Sequence, residues 1–116
     1  MNPKMDTHNM NIYIQTVFKL VNIDLNCYIH KDIFYIEIPH DFNTKCFIKN
    51  CKKKLVHILE EIESIGGENI ILYIDKKVEY LDILTTVLLY VGFKRRIKCT
   101  NENISIKQYL LFEYIF

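Results

Sequence analysis

Apolar and polar side chains alternate along Phe34-Tyr35-Ile36-Glu37-Ile38-Pro39, which predicts a strand with a hard end at the proline. Asn22 to Ile29 is also strand-like, and His30-Lys31-Asp32 interrupts the two runs, so together they predict a hairpin. Ahead of it, Ile12 to Val21 has irregular apolar spacing that fits a strand or a short helix. Residues 1–10 are polar and expected to be loose, leaving residues 11–116 as one domain. Pro39 to Thr44 reads as a loop, after which the period changes. From about Cys46 to Ile65, Leu55, Ile58, Leu59, Ile62 and Ile65 fall on one helical face. Lys53, Lys54, His57, Glu60, Glu61 and Ser64 lie off it, and Gly66-Gly67 ends the helix.

Asn69 to Ile74 is a short apolar run between breakers, the pattern of a strand covered on both faces. Asp75 is placed to N-cap a second helix with Val78, Leu81, Leu84 (or Thr85), Leu88 and Val91 on its inner face. Tyr90-Val91-Gly92-Phe93 reads as that helix's last turn, a glycine at its end and the start of another strand. Phe93 to Lys98 then predicts a strand, Thr100 to Asn103 a turn, and about Ser105 to Phe116 a long final strand. The order strands, helix, strand, helix, strand, strand gives an α/β sandwich with a mixed sheet and two main helices. No internal repeat or linker divides it.

Composition changes the picture in two places. The chain has no alanine, and only Arg95 and Arg96 stand against many lysines, a bias expected of A+T-rich coding sequence. Without alanine, the helices must lean on tertiary packing. The net charge of +1 argues against a dedicated nucleic-acid binder. No apolar run approaches the roughly 20 residues that span a bilayer, and the polar start is no signal peptide. A cytoplasmic protein is expected, with the nucleus a second compartment open to it. Cys27, Cys46, Cys51 and Cys99 lack the paired spacing of a zinc site and read as free thiols, buried or half-buried.

Candidate chemistry is sparse. Such a mixed sheet resembles the N-acetyltransferase (GNAT-like) fold, whose enzymes hold a cofactor pyrophosphate at a glycine-rich strand-to-helix turn. The corresponding turn, Asp75-Lys76-Lys77-Val78-Glu79, has no glycine and carries two carboxylates that repel phosphate. His8, His30, His40 and His57 are scattered, and none has a ligand partner at i+4. His57 is placed for a solvated contact with Glu60 or Glu61. Cys51 and His57, six residues apart on a helix, point to roughly opposite sides and make no catalytic pair. Lys52-Lys53-Lys54 reads as a solvated face. No catalytic group, cofactor or metal site is therefore expected.

Phe34–Pro39 and Tyr90–Phe93, in this element order, resemble the C-terminal domain of ornithine decarboxylase antizyme. Between the two motifs the family has an apolar strand like Ile70–Ile74 and a charged turn, and it ends on an aromatic strand like Tyr109–Phe116. The similarity covers roughly residues 26–116. It implies a GNAT-like fold without acetyl-CoA chemistry and a protein partner, monomeric ornithine decarboxylase. Such a chain would hold the monomer as a heterodimer, block homodimerisation and deliver it to the proteasome without ubiquitin. Polyamine synthesis would be restrained, and expression by polyamine-triggered frameshifting is common in the family. A divergent acyl-CoA-dependent N-acetyltransferase and another interaction domain on the same fold are the alternatives.

The resemblance also implies contact residues. Glu60 and Glu63 match carboxylate positions of the family's first helix, and Lys76 and Glu79 match charged positions of the turn. Asp82 and Glu61 depart from the pattern. So do Lys45, Lys49 and Lys52 to Lys54, which put positive charge near a surface the family keeps acidic.

Overall fold

In the computed structural model, which describes residues 5–116, the hairpin forms as the apolar alternation implies. Strand β1 (Asn26–His30) pairs antiparallel with β2 (Ile33–Ile38). The two-residue turn has Lys31 at φ 49° and Asp32 at φ 65°, the backbone that matches the twist of a tight hairpin. Asn22 to Leu25 is not part of β1; Asn22, at φ 57°, ends a preceding helix instead.

That helix, α1 (Thr7–Leu20), takes up residues 7–10 of the stretch expected to be loose. Asp6 accepts the Asn9 N–H at 2.9 Å and caps it, so residues 7–10 are its first turn. Met10, Ile14, Val17 and Phe18 are buried at helical spacing. Met1 to Lys4 lie outside the described residues. The helix expected over Cys46–Ile65 is two, α2 (Thr44–Ile48) and α3 (Cys51–Ser64), broken at Lys49-Asn50. Leu55, Ile58, Leu59, Ile62 and Ile65 are all buried, so the face of α3 stands as its period implies.

Strand β3 (Asn69–Asp75) follows and is buried along almost its whole length. Asp75 does not cap a helix, because α4 (Leu81–Val91) begins six residues later, after Tyr80 at φ 57°. Gly92 ends α4 at φ 120°, with Phe93 N–H on the Leu88 carbonyl and Gly92 N–H on that of Leu89. This is a Schellman closure, and the ends of α1 and α3 share it. The last two strands are shorter than their patterns imply: β4 (Lys94–Arg96) and β5 (Tyr109–Ile115).

The result is a mixed five-stranded sheet in the order β1-β2-β3-β5-β4. Its parallel pair, β2 and β3, is joined through α2 and α3, and β5 runs antiparallel to both β3 and β4. All the long helices pack on one face, burying Phe34, Ile36, Leu72, Ile74 and Phe112 in the main core. Three long helices do this rather than two, since α1 adds to α3 and α4. The opposite face has a smaller core around Tyr35, Ile71, Tyr73 and Leu111, closed by Ile104 from the β4–β5 connection. No helix among the described residues is long and apolar enough to cross a membrane.

Candidate protein-interaction surface

At the carboxyl ends of β2 and β3 the chain builds a charged corner. Asp75 is 5% exposed and accepts the Lys77 N–H at 2.9 Å and the Gln108 side-chain amide at 3.2 Å. These bonds, the Lys77 N–H first, hold its carboxyl below the ordinary 3.8, against the opposing effect of desolvation. Lys76 is tied to the same connection, with its N–H on the Gln108 carbonyl at 3.0 Å and its ammonium on Ile106 O at 3.1 Å. A cleft of about 340 Å³ opens there, lined by His40, Asp75, Lys76, Lys77, Lys107 and Gln108. The Asp75 side chain thus pins the turn to β5's entry rather than starting a helix.

The depressed carboxyl has a consequence for stability. Asp75 stabilises the fold above its unfolded-state value near 3.8, and that contribution disappears as pH falls through the lower folded-state value. The gap in urea midpoint between wild type and Asp75→Asn is expected to be steady from about pH 7 to 5 and to narrow below about pH 4. A gap that persists unchanged into strong acid would show that the hydrogen bonds do not favour the ionised form.

Glu79 and Tyr80 are exposed just before α4, and α4 itself is unusual for a surface helix. Its one charge is Asp82, in the first turn, where it complements the helix dipole. Leu84 and Leu88 are buried, yet Ile83, Leu89 and Tyr90 are exposed on the outer side, Tyr90 to 73%. Tyr80, Ile83, Thr86 or Val87, and Tyr90 run along one stripe. A helix that is apolar nearly all round is normally covered on every side.

Helix α3 presents the other expected residues. Glu60 and Glu63 are exposed on its outer face. They stand apart from Lys76 and Glu79: Glu63 lies near the start of β3 and Lys76 just beyond its end, roughly 20 Å along the strand. No hydrogen bond or ion pair joins either glutamate to Lys76 or Glu79 among the described residues. His57 Nε2 lies 3.8 Å from a Glu61 oxygen, the solvated contact its spacing implies, and Glu61 also accepts the Tyr13 hydroxyl from α1. The lysine run is not simply solvated. Lys52 sits 4.5 Å from the centre of the Tyr90 ring, and Lys54 donates to Asn22 O at 3.4 Å.

No family model matches the chain, and no curated protein matches it. The surface must therefore be judged on its own chemistry.

The features least visible in sequence are the outer face of α4 and a tyrosine network on the far side of the sheet. There Tyr28 stacks on Tyr35 at 5.2 Å, and its hydroxyl accepts from Tyr73 and from Asn101, each at 3.4 Å. Tyr109 donates to Glu37 at 2.9 Å. Burial, then the Glu37 contact, pushes Tyr109 up to about 12, and burial likewise raises Tyr73 and Tyr35. Every buried polar side-chain atom among the described residues has a partner, so this network is a satisfied second core. Cys27 and Cys51 are buried, Cys99 half-buried and Cys46 exposed, and all four thiols are free. Burial pushes Cys27 up to about 12, which makes it an inert thiol at neutral pH. Among the described residues no three His, Cys, Asp or Glu side chains group to hold a metal ion.

Proposed function

We propose that this protein is a non-catalytic, antizyme-like inhibitor that captures monomeric ornithine decarboxylase across α4 and the 76–80 turn. The observation that carries the proposal is the outer face of α4, with Ile83, Leu89 and Tyr90 exposed on a helix that carries Asp82 in its first turn and follows the exposed Glu79. A warm apolar centre with a charged rim is the anatomy of a protein interface. The mixed sheet, with its parallel pair and its last strand inserted between β3 and β4, supports a GNAT-like ancestry. Loss of acyl-CoA chemistry is supported by the turns after both parallel strands, residues 39–43 and 76–80, neither of which contains a glycine. Acting in the cytoplasm, the chain would bind monomer and not dimer, so differential affinity alone would drain the active homodimer. Proteasomal delivery of the captured monomer, and restraint of polyamine synthesis, follow from the same reading.

The test mixes this protein with ornithine decarboxylase from the same organism and follows mass and activity. The homodimer is expected to give way to a one-to-one heterodimer as activity falls. A fully active dimer that persists at excess of this chain would refute the proposal. Lys76→Glu combined with Glu79→Lys is expected to weaken the complex, and Glu79→Lys alone to do so with the unfolding midpoint in place, because of the two it is Lys76 that holds a bond within the fold, to Ile106 O at 3.1 Å.

One observation favours a second reading, an acyl-CoA-dependent N-acetyltransferase. The three-lysine cleft lies outside the carboxyl ends of a parallel strand pair, where α/β proteins commonly bind ligands. Calorimetric titration with acetyl-CoA separates the readings, since a micromolar heat signal would favour the enzyme.

A further inference from the structure

Strand β4 closes one edge of the sheet, and its outer side is unpaired. Beyond its ladder with β5, no backbone–backbone hydrogen bond reaches residues 94–100 among the described residues, and the Arg96 carbonyl accepts from the Arg95 guanidinium at 2.8 Å. The segment reads Lys94-Arg95-Arg96-Ile97-Lys98 and includes both arginines of the chain. In a protein whose whole net charge is +1, four cations stand in five consecutive residues. The sequence pattern alone gives no weight to this run, because it reads simply as a strand; its position at an open edge is what the fold adds.

Each cation is disposed differently. Arg96 Nε lies 3.3 Å from a Glu113 oxygen, while Arg95 turns to the helix side, stacks over the Phe112 ring at 5.6 Å and donates to Leu111 O at 3.2 Å. Lys94 and Lys98 have no ion-pair partner among the described residues. Beside the strand is a cavity of about 280 Å³ lined by Gly92, Lys94, Arg95, Arg96, Glu113 and Ile115. Ile97 and Ile115 are exposed to 77% and 70%, so apolar side chains flank the cations. The cavity thus has three cations and one carboxylate in its lining, Glu113, which Arg96 already engages.

We infer that the free edge of β4 is a docking site for an acidic, extended peptide segment, which adds to the sheet as a further strand. Backbone pairing supplies register, and carboxylates on alternate residues share one face of the added strand, where they meet Lys94 and Arg96 on the side of the sheet that carries Glu113. Charged edges also guard against indiscriminate pairing, and here the guard is selective. A second copy of this edge would bring like charges opposite one another, which disfavours self-pairing. An acidic strand meets the reverse situation. The site is on a different edge from the α4 face and does not depend on what that face binds.

The test is fluorescence anisotropy of the full chain with a labelled Glu-Val-Glu-Val-Glu-Val-Glu peptide. Binding is expected, with a loss of about tenfold or more on raising salt from low to several hundred millimolar. The same peptide with lysine for glutamate is expected not to bind, and N-methylation of alternate residues is expected to weaken binding about tenfold by removing strand pairing. Lys94→Gln with Lys98→Gln, which removes both charges without setting a carboxylate opposite Glu113, is expected to weaken binding about tenfold or more while leaving the unfolding midpoint unchanged. Equal binding of the lysine peptide, full binding of the N-methylated one, or an unaffected double variant would each overturn the inference. So would tighter binding of a seven-nucleotide single-stranded DNA, which would make the edge a nucleic-acid contact.

Discussion

Leu88→Ala is expected to cost roughly 2–5 kcal/mol in a urea titration, whereas Leu89→Ala should stay within about 0.5 kcal/mol of wild type. The two leucines are neighbours on α4, one 0% and the other 50% exposed. Leu88 lies in the main core, so its truncation loses the transfer energy of the removed atoms and leaves a cavity that packed neighbours fill only in part. Leu89 has half its surface in water already, so the same change removes little. The contrast tests the orientation of α4 as well as its packing. Equal losses at both positions would mean that the helix is rotated and that the exposed stripe proposed as a binding face is buried. A small loss at Leu88 alone would mean that α4 does not seal the core. On the proposed function, Leu89→Ala is expected instead to reduce capture of the decarboxylase, separating a binding role from a folding one.

How much of this was legible in sequence depends on how cleanly each element's periodicity survives the isoleucine-rich composition. The face of α3 was plain because Leu55, Ile58, Leu59, Ile62 and Ile65 contrast with the charged Lys52 to Lys54, Glu60, Glu61 and Glu63 on the same helix. Helix α1 was not, although Met10, Ile14, Val17 and Phe18 are equally well spaced. Exposed Ile12 and Leu20 add apolar residues off that face, and the polar Asn9, Asn11, Gln15 and Thr16 give no charged stripe to contrast with it. The break between α2 and α3 falls at Lys49-Asn50, without the glycine or proline that would announce it. Asp75 reads in sequence as the N-cap of the next helix, but its partners, Lys77 and Gln108, make it the anchor of a turn, and only the fold brings Gln108 near. Local pattern cannot tell a cap from such a turn, because both satisfy an N–H just downstream.

The candidate site divides in the same way. That Glu60, Glu63, Lys76 and Glu79 are exposed follows from their place off the apolar faces; that they fall into two separate pairs requires the sheet. The outer stripe of α4 escaped because a helix with one charge offers many apolar residues and no contrast by which to choose the inward ones. The charged edge at β4 escaped because its three residues are all exposed, so no alternation marks which side is free.

Gly67→Ala is expected to destabilise the fold by roughly 1–3 kcal/mol, more than a substitution to Asn at its neighbour Gly66. In sequence the pair looks like one signal, a doubled helix stop, but the two glycines answer different demands. Gly66 has φ 90°, in the left-handed half of the map that asparagine also visits, as Asn22 does at the end of α1 with φ 57°. Gly67 is not in that region; it is a glycine because of what stands next to it. A Cβ there would lie 2.3 Å from Ile62 Cγ2, 2.8 Å from the Ile62 carbonyl oxygen and 3.1 Å from the Phe34 ring. The carbonyl is fixed, since it accepts the Gly67 N–H at 2.9 Å in the closure of α3, so the clash cannot be relieved by rotating a side chain. Relief requires the end of α3 to lift from β2, with Ile62 and Phe34 both drawn from the core. Urea titrations of Gly66→Asn and Gly67→Ala measure the difference directly. A Gly67 variant as stable as wild type would show that α3 does not close against β2 as tightly as the backbone places it.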